Sequence, residues 1–404
     1  MAPVNLPPLR FIGLDIHKEY LVASGVNAAQ EPVLGPQRIG ITEVASWASK
    51  QLTPQDAVVL EMTTNTWEVY DLLLPHVHSV TVVHPPHVAL IVRAQVKTDR
   101  KAALTLAQLH AAGLLVGIWA PPPEVRDLRL LIAQRWKMVR LATIAKNRLH
   151  SALHRHHLAA PDSSLPFSPK QEEFWLNLPV SEAERAAIRC DWETIAFAER
   201  QKQALQESIA RAAAADPRAP LLVQLPGVGM IGAATLLAAI GDIARFASAK
   251  ALVGYAGLGA RVHDSGRLHQ TGRITKSGRK DIRYTMVEAA QHAARAHAYW
   301  RAQFARLEPR LGKAKAIVAI ARRLLVAVWH VLSAETADCH AEPQQAACAL
   351  FAHAYHVGVR NLPDGQSALA FTRQQLDRLG LGRELTHLPW GSKRYKLPPS
   401  KLPA

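Results

Sequence analysis

Two short apolar runs, each ending in an acid, constrain this chain more than any other feature. Residues 11–15 read FIGLD and residues 57–61 read AVVLE. Runs of that length, bounded by polar turns, suit buried strands rather than helices. Residues 21–26 offer the first run a hairpin partner, with 17–20 as the turn and 37–41 as a third strand. Helical spacing follows over 41–52, with Thr42 in position to cap it. A helix over 67–74, a strand over 80–83 closed by Pro85 and Pro86, and a helix over 99–116 complete the pattern. Strands alternating with helices predict an α/β domain: a mixed sheet with helices on its faces.

Beyond residue 122 the pattern changes. Residues 124–158 are long, basic and helical, and 181–214 repeat that character with more acids. Between them PDSSLPFSPK cannot continue a helix. An antiparallel hairpin, a dimerising coiled coil and a single packed helical layer all fit this arrangement. At 225–229, LPGVG resembles the turn of a helix-hairpin-helix, in which Gly227 and Gly229 would let backbone N–H groups approach a phosphate. A plain turn between packed helices fits equally. A basic loop follows, then helices near 281–298 and 314–333. The tail from 336 is poorer in pattern, and its end, GSKRYKLPPSKLPA, reads as a flexible or docking segment.

The chain has 404 residues, room for two or three domains, and a net charge of +16. That excess points to a polyanion, nucleic acid first. No apolar run is expected to reach membrane-spanning length, and the first residues lack an apolar signal core, so a cytoplasmic protein without a membrane partner is predicted. Cys190, Cys339 and Cys348 are widely spaced and read as ordinary buried thiols.

Asp15 and Glu61 end neighbouring predicted strands, and Asp99 opens a predicted helix. Three carboxylates converging from different elements suit Mg²⁺. Taken singly, they also suit a turn acid, a surface residue and a helix cap. Residues 254–283, GYAGLGARVHDSGRLHQTGRITKSGRKDIR, place Ser265 among Arg261, Arg267, Arg273, Lys276, Arg279, Lys280 and Arg283. Such a basic segment fits phosphates, and a hydroxyl held there is a candidate nucleophile. In HSALHRHH, His150 and His154 lie one helical turn apart. No companion ligands follow at metal-site spacing, so a basic face toward RNA or DNA fits better. The bases and ring at Arg135, Trp136, Lys137 and Arg140 fit the same face.

With these residues in view, the chain resembles the IS-110-type insertion-sequence transposases, also described as bridge-RNA-guided recombinases. The resemblance rests on GLDIHK (13–18), the acid of VVLEMT (58–63), KTDRKAALTLA (97–107), WAPPPEVRDLR (119–129) and NRLHSAL (147–153). It continues through LPGVGMIGAATLLAAIGD (225–242), the 252–283 block and KAKAIVAIARRLL (313–325), and so covers most of residues 10–335. It implies a RuvC-like (RNase H-like) DEDD domain over 1–122 and a helical coiled-coil linker over 123–218. A mainly α serine transposase domain over 219–335 and a C-terminal extension over 336–404 follow.

The family's acids fall on Asp15, Glu61 and Asp99, and its nucleophile on Ser265, followed by Gly266 as the motif requires. Ser277 also precedes a glycine but reads as a turn residue. The family's fourth acid stands three residues after the third, where this chain has Ala102. A substitution that traps a complex before cleavage and a divergence completed by another acid or water both account for it. The resemblance further implies donor and target DNA, a guide RNA acting by base pairing, Mg²⁺, a dimer or tetramer, and a bacterial, nucleoid-associated cytoplasmic setting. A metal-dependent junction endonuclease and a catalytically silent nucleic-acid scaffold are the alternatives.

Overall fold

The computed structural model describes residues 7–91, 98–265 and 268–402, with 262–265 and 268–271 given by their backbone alone. The described residues divide between Pro121 and Pro122 into two compact units.

The first unit contains β1 (Arg10–Ile16), β2 (Tyr20–Asn27), β3 (Pro32–Gly40), α1 (Val44–Gln51), β4 (Asp56–Glu61), α2 (Thr66–Leu73), β5 (Ser79–Val83), α3 (Pro85–Ile91) and α4 (Asp99–Ala111). Its five-stranded sheet runs β3-β2-β1-β4-β5. The first three strands pair antiparallel, and β1-β4 and β4-β5 pair parallel. This mixed sheet is consistent with a RuvC-like DEDD fold.

Strand alternation sorts the side chains. Ile12, Leu14, Leu21, Val58 and Leu60 pack with Val44, Ala48, Val69 and Leu73 of α1 and α2. Val59 and Val83 pack on the other face with Val88 of α3 and Leu106 of α4. The β1-β4 register is locked at its start, where Arg10 pairs Asp56. There the Arg10 Nε and Nη2 donate to Asp56 Oδ1 and Oδ2 at 2.7 and 2.6 Å, and Asp56 is fully buried. A bidentate pair of this kind fixes orientation as well as charge.

Two local expectations are corrected. Thr42 does not cap a helix, because Gly40 leads into a 3₁₀ turn (Ile41–Glu43) before α1, and neither start carries a side-chain cap. Pro85 and Pro86 open α3 rather than simply closing β5, since proline fits a first helical turn that needs no N–H.

The second unit is mostly helical. It comprises α5 (Pro123–Arg155), α6 (Glu172–Leu176), α7 (Glu182–Ala215), α8 (Ala219–Val223), α9 (Met230–Ile240), α10 (Ala249–Tyr255), β6 (Ala260–Ser265), β7 (Leu268–Ile274), α11 (Lys280–Ala296), α12 (Ala298–Leu311) and α13 (Lys313–Ala334). It continues with α14 (Pro343–Val357), α15 (Ala368–Arg378), β8 (His387–Trp390) and β9 (Lys393–Lys396). Helices α5 and α7 form an antiparallel hairpin. Arg135, Lys146, Arg148 and Arg155 meet Gln206, Glu199, Asp191 and Glu184, so partner numbers fall as the first numbers rise.

Three further expectations change here. The tail is not a loose appendage: Phe351, Leu388 and Leu397 enter the main core. Arg373, almost wholly buried, donates to the carbonyls of Gly382 and Pro398, and Asp377 accepts from Ser400 Oγ at 2.7 Å. Helix α13 is long and apolar enough to cross a membrane by length and composition, which the sequence reading had excluded. Ala316, Ile320, Leu324, Leu325 and Val328 of this helix are fully buried in the protein core. The thiols also differ from expectation: Cys190 and Cys339 are exposed, and Cys348 is partly buried.

Candidate metal centre and nucleic-acid interface

The carboxyl ends of β1 and β4 lie side by side. Leu14 pairs Leu60, and the next step of the same register sets Asp15 beside Glu61. Alternation turns both toward the face covered by α4, because Gly13 faces that helix. A Cβ on Gly13 would fall on the Ala103 carbonyl oxygen and lie 2.6 Å from the Ala107 nitrogen. Only glycine lets α4 sit this close to β1. Thr98 caps α4, accepting from the Lys101 N–H at 3.4 Å, and places Asp99 in the first turn.

Asp15, Glu61, Asp99 and Ala102 thus line one cavity of about 650 Å³, with His17, Pro85, Lys101 and Thr105 among its other walls. Within it Asp15, His17 and Asp99 form a tight group, one donor atom from each lying within 4.8 Å of the others. His17 Nε2 is 3.6 Å from Asp15 Oδ2 and 3.3 Å from Asp99 Oδ2. Glu61 is on the cavity wall and outside that group. Carboxylate oxygens and an imidazole nitrogen at this spacing suit a divalent cation. Ala102 presents a methyl and no donor.

Tyr20 ties the group together. Its hydroxyl donates to Asp99 Oδ2 at 3.0 Å, its ring packs against the His17 ring with centroids 4.7 Å apart, and the Arg38 guanidinium lies 3.7 Å from its ring centre. The hydrogen bond to Asp99, with burial second, holds the Tyr20 hydroxyl above its usual range. By sequence, residues 17–20 read only as a turn. His17 and Tyr20 do form that turn, His17 N–H donating to the Tyr20 carbonyl at 2.8 Å, but their rings also furnish the site. Their presence in GLDIHKEY, directly after the first acid, was the available signal.

The serine segment is not an irregular loop. Strands β6 and β7 form a two-stranded ribbon in which Ser265 pairs Leu268, so Ser265 ends its strand at the ribbon tip. Gly266 and Arg267 lie outside the described residues. Backbone pairing from Ala260–Ile274 to Ser265–Leu268 holds the ribbon together. Arg261, Arg273, Lys276 and Lys280 are exposed along this segment and its exit. Arg279 is engaged instead with Asp281, Nε to Oδ1 at 3.0 Å. Ser277 has a backbone role: a Cβ on Gly257 would strike its carbonyl oxygen.

Several other bases are in use within the protein. Arg129, Arg245 and Arg218 donate to the carbonyls of Ala238, Ala239, Ile240 and Gly241, at the C-terminus of α9. Guanidinium groups there answer both the orphan carbonyls and the negative end of the helix dipole. Arg135 bonds Gln206 inside the helical hairpin, and burial lowers its pKa. Trp136 packs edge-on against Tyr284 with centroids 4.5 Å apart. His150 packs edge-on against Phe167, whereas His154, His156 and His157 are exposed.

The glycines of LPGVG divide. Gly227 has φ +81°, and a Cβ there would lie 2.6 Å from the Ala289 carbonyl oxygen, so its freedom serves packing on α11. Gly229 borders open space at the start of α9.

Comparison with known proteins agrees with both regions. The pattern of the DEDD-type IS110 transposases matches residues 12–158. The pattern described as the transposase IS116/IS110/IS902 family matches residues 219–305. A pilin gene-inverting protein of Moraxella bovis is 27% identical over 333 residues, spanning 80% of this chain and 95% of its own. A transposase for insertion sequence element IS1111A of Coxiella burnetii is 22% identical, spanning 83% and 93%. Two family patterns in order on one chain, with relatives aligned over nearly their whole length, make this protein a member of the IS110-type family of insertion-sequence transposases.

Proposed function

We propose that the chain is an RNA-guided DNA recombinase that cuts and rejoins strands through a phosphoserine intermediate, with Mg²⁺ at the acidic cavity. The observation that carries the reading is the meeting of Asp15, Glu61 and Asp99 on one cavity, in the unit matched by the DEDD-type family pattern. In this reading the Ser265 hydroxyl gives up its proton as Oγ forms a bond to the scissile phosphorus. The phosphorus bond to the departing sugar oxygen breaks, and that oxygen takes up a proton. Rejoining is the reverse step, a sugar hydroxyl displacing the serine, so phosphodiester bonds are conserved and no outside energy source is needed.

Asp15, Glu61 and Asp99 would hold Mg²⁺, which when bound supplies Lewis-acid stabilisation of charge on the phosphate. Tyr20 orients Asp99 for that task through its hydroxyl. Arg261, Arg273, Lys276 and Lys280 would hold the DNA backbone around the ribbon, and Arg267, outside the described residues, would join them. Arg279, through its pair with Asp281, would set the ribbon's exit. The start of α9 at Gly229 would meet a phosphate, with Gly227 shaping the turn. The exposed histidines near the end of α5 and the basic helical hairpin would hold guide RNA by its backbone, leaving sequence choice to pairing. The acids and the serine belong to different units, so the reading calls for a composite site in a dimer or tetramer.

The test uses purified protein and a plasmid carrying its coding segment with native flanking DNA. Wild type with Mg²⁺ yields covalent protein–DNA adducts on denaturing gels. Ser265→Ala yields none, while its co-purified RNA is unchanged. Adducts that persist in Ser265→Ala refute the serine assignment. Mg²⁺-dependent cleavage without any adduct supports a junction endonuclease instead. The Ala102 methyl on the cavity wall favours one further reading, a silent nucleic-acid scaffold, for which wild type neither cleaves nor forms adducts.

A further inference from the structure

We infer that His17 supplies, through Nε2, the metal donor that the side chain at position 102 lacks, so that the centre is a mixed oxygen and nitrogen site. The inference rests on the metal-site reading above. Ala102 follows Asp99 by one helical turn and lines the same cavity, yet its methyl offers nothing to a cation. His17 approaches from the opposite element, the turn after β1, and its Nε2 is buried with no hydrogen-bond partner among the described residues. Its 3.3 Å distance to Asp99 Oδ2 is that of neighbours around one ion rather than of a well-formed hydrogen bond, and Asp15 Oδ2, at 3.6 Å, stands slightly beyond that spacing. Adjacent ligands at right angles, each about 2.1–2.4 Å from a divalent cation, are separated by roughly 3.0–3.4 Å.

The ring is also held in place. The His17 carbonyl accepts from Asn65 Nδ2 at 3.1 Å, which fixes the backbone against the turn before α2. The Tyr20 ring supports the imidazole, and its hydroxyl bonds the same Asp99 oxygen that Nε2 approaches. A buried ring nitrogen left without a partner costs about 1–3 kcal/mol, and a bound cation removes that cost. Exchanging a carboxylate for an imidazole lowers the negative charge of the site by one and softens it. The centre should therefore favour Mn²⁺ over Mg²⁺ more strongly than an all-carboxylate site does.

The experiment is electron spin echo spectroscopy of Mn²⁺ added to the full-length protein. Wild type is expected to show the ¹⁴N modulation of a directly bound imidazole. His17→Phe, which keeps a ring against Tyr20, loses the modulation and binds Mn²⁺ about 10–100-fold more weakly. Adding Ala102→Asp to His17→Phe restores affinity but not the nitrogen signal. Mn²⁺ bound by wild type without nitrogen modulation overturns the inference and leaves the metal site standing. Modulation that survives in His17→Phe also overturns it. Failure of wild type to bind Mn²⁺ at millimolar levels removes the metal reading itself. The wild-type spectrum is decisive alone, so a variant that misfolds protects nothing.

Discussion

Replacing Gly13 with alanine should loosen the whole acidic cavity through one methyl group. The added Cβ would lie 2.6 Å from the Ala107 nitrogen and against the Ala103 carbonyl oxygen, both backbone atoms that no rotamer change moves. Ordinary contact at such atoms is about 3.5 Å, so α4 must retreat by roughly 1–1.5 Å. Overpacking of this kind costs about 1–3 kcal/mol. The retreat carries Asp99 with it. The Tyr20 hydrogen bond, 3.0 Å in the structure, would lengthen to about 4 Å and cease to be one. Urea unfolding measures the first effect, and Mn²⁺ titration followed by its free-ion resonance measures the second, expected as about a tenfold loss of affinity. Gly35→Ala is the control, since a Cβ there meets nothing within 4 Å. Wild-type stability and wild-type Mn²⁺ affinity in Gly13→Ala would refute the close-approach argument. So would equal damage from Gly35→Ala.

Acid should weaken the helical unit through His353. Burial, with the charge of His356 second, pushes its pKa down to about 4 from the 6.5 of a free histidine. A depressed pKa contributes stability that is full above 6.5 and lost as pH falls toward 4, because the unfolded chain takes up the proton first. The loss at pH 5 is on the order of 2 kcal/mol, and His353→Leu should flatten that part of the stability profile. An identical slope in the variant would show that other groups carry it. Arg129→Ala should cost about 1–3 kcal/mol, because the Ala238 carbonyl loses its 2.7 Å donor at the end of α9. Arg129→Lys should recover only part of it, a single ammonium being unable to span two carbonyls. Denaturation midpoints decide both, and an Arg129→Ala midpoint equal to wild type would return this base to the pool available for nucleic acid.

Much of the first unit was legible because its strands are short apolar runs with acids at their ends. FIGLD and AVVLE became adjacent strands within a residue of their expected limits, and their last residues share a cavity. The long helices were equally legible from periodicity and from the Pro/Ser break between them. Helix α12 was missed, although it runs from Ala298 to Leu311 with Pro309 inside it. The sequence around Ser265 suggests a loop rather than a ribbon, because glycine and serine mark turns without saying how long the flanking strands are.

Residue chemistry, charge and order along the chain were determined by sequence alone. They settled the alternating α/β start, the helical remainder, the basic excess and the acids at the strand ends, because local periodicity and composition act over neighbouring residues. Tertiary structure alone decided which bases are available. Arg129, Arg218 and Arg245 close the end of a helix, and Arg279 is paired with Asp281. It also decided what lies beside the acidic group. Position 102 offers a methyl, while His17, far away in sequence, brings its Nε2 within 3.3 Å of Asp99. The physical reason is the same in both cases. A side chain's partners are set by which elements pack together, and here the missing side chain of Gly13 allows β1 and α4 to come close enough for those groups to meet.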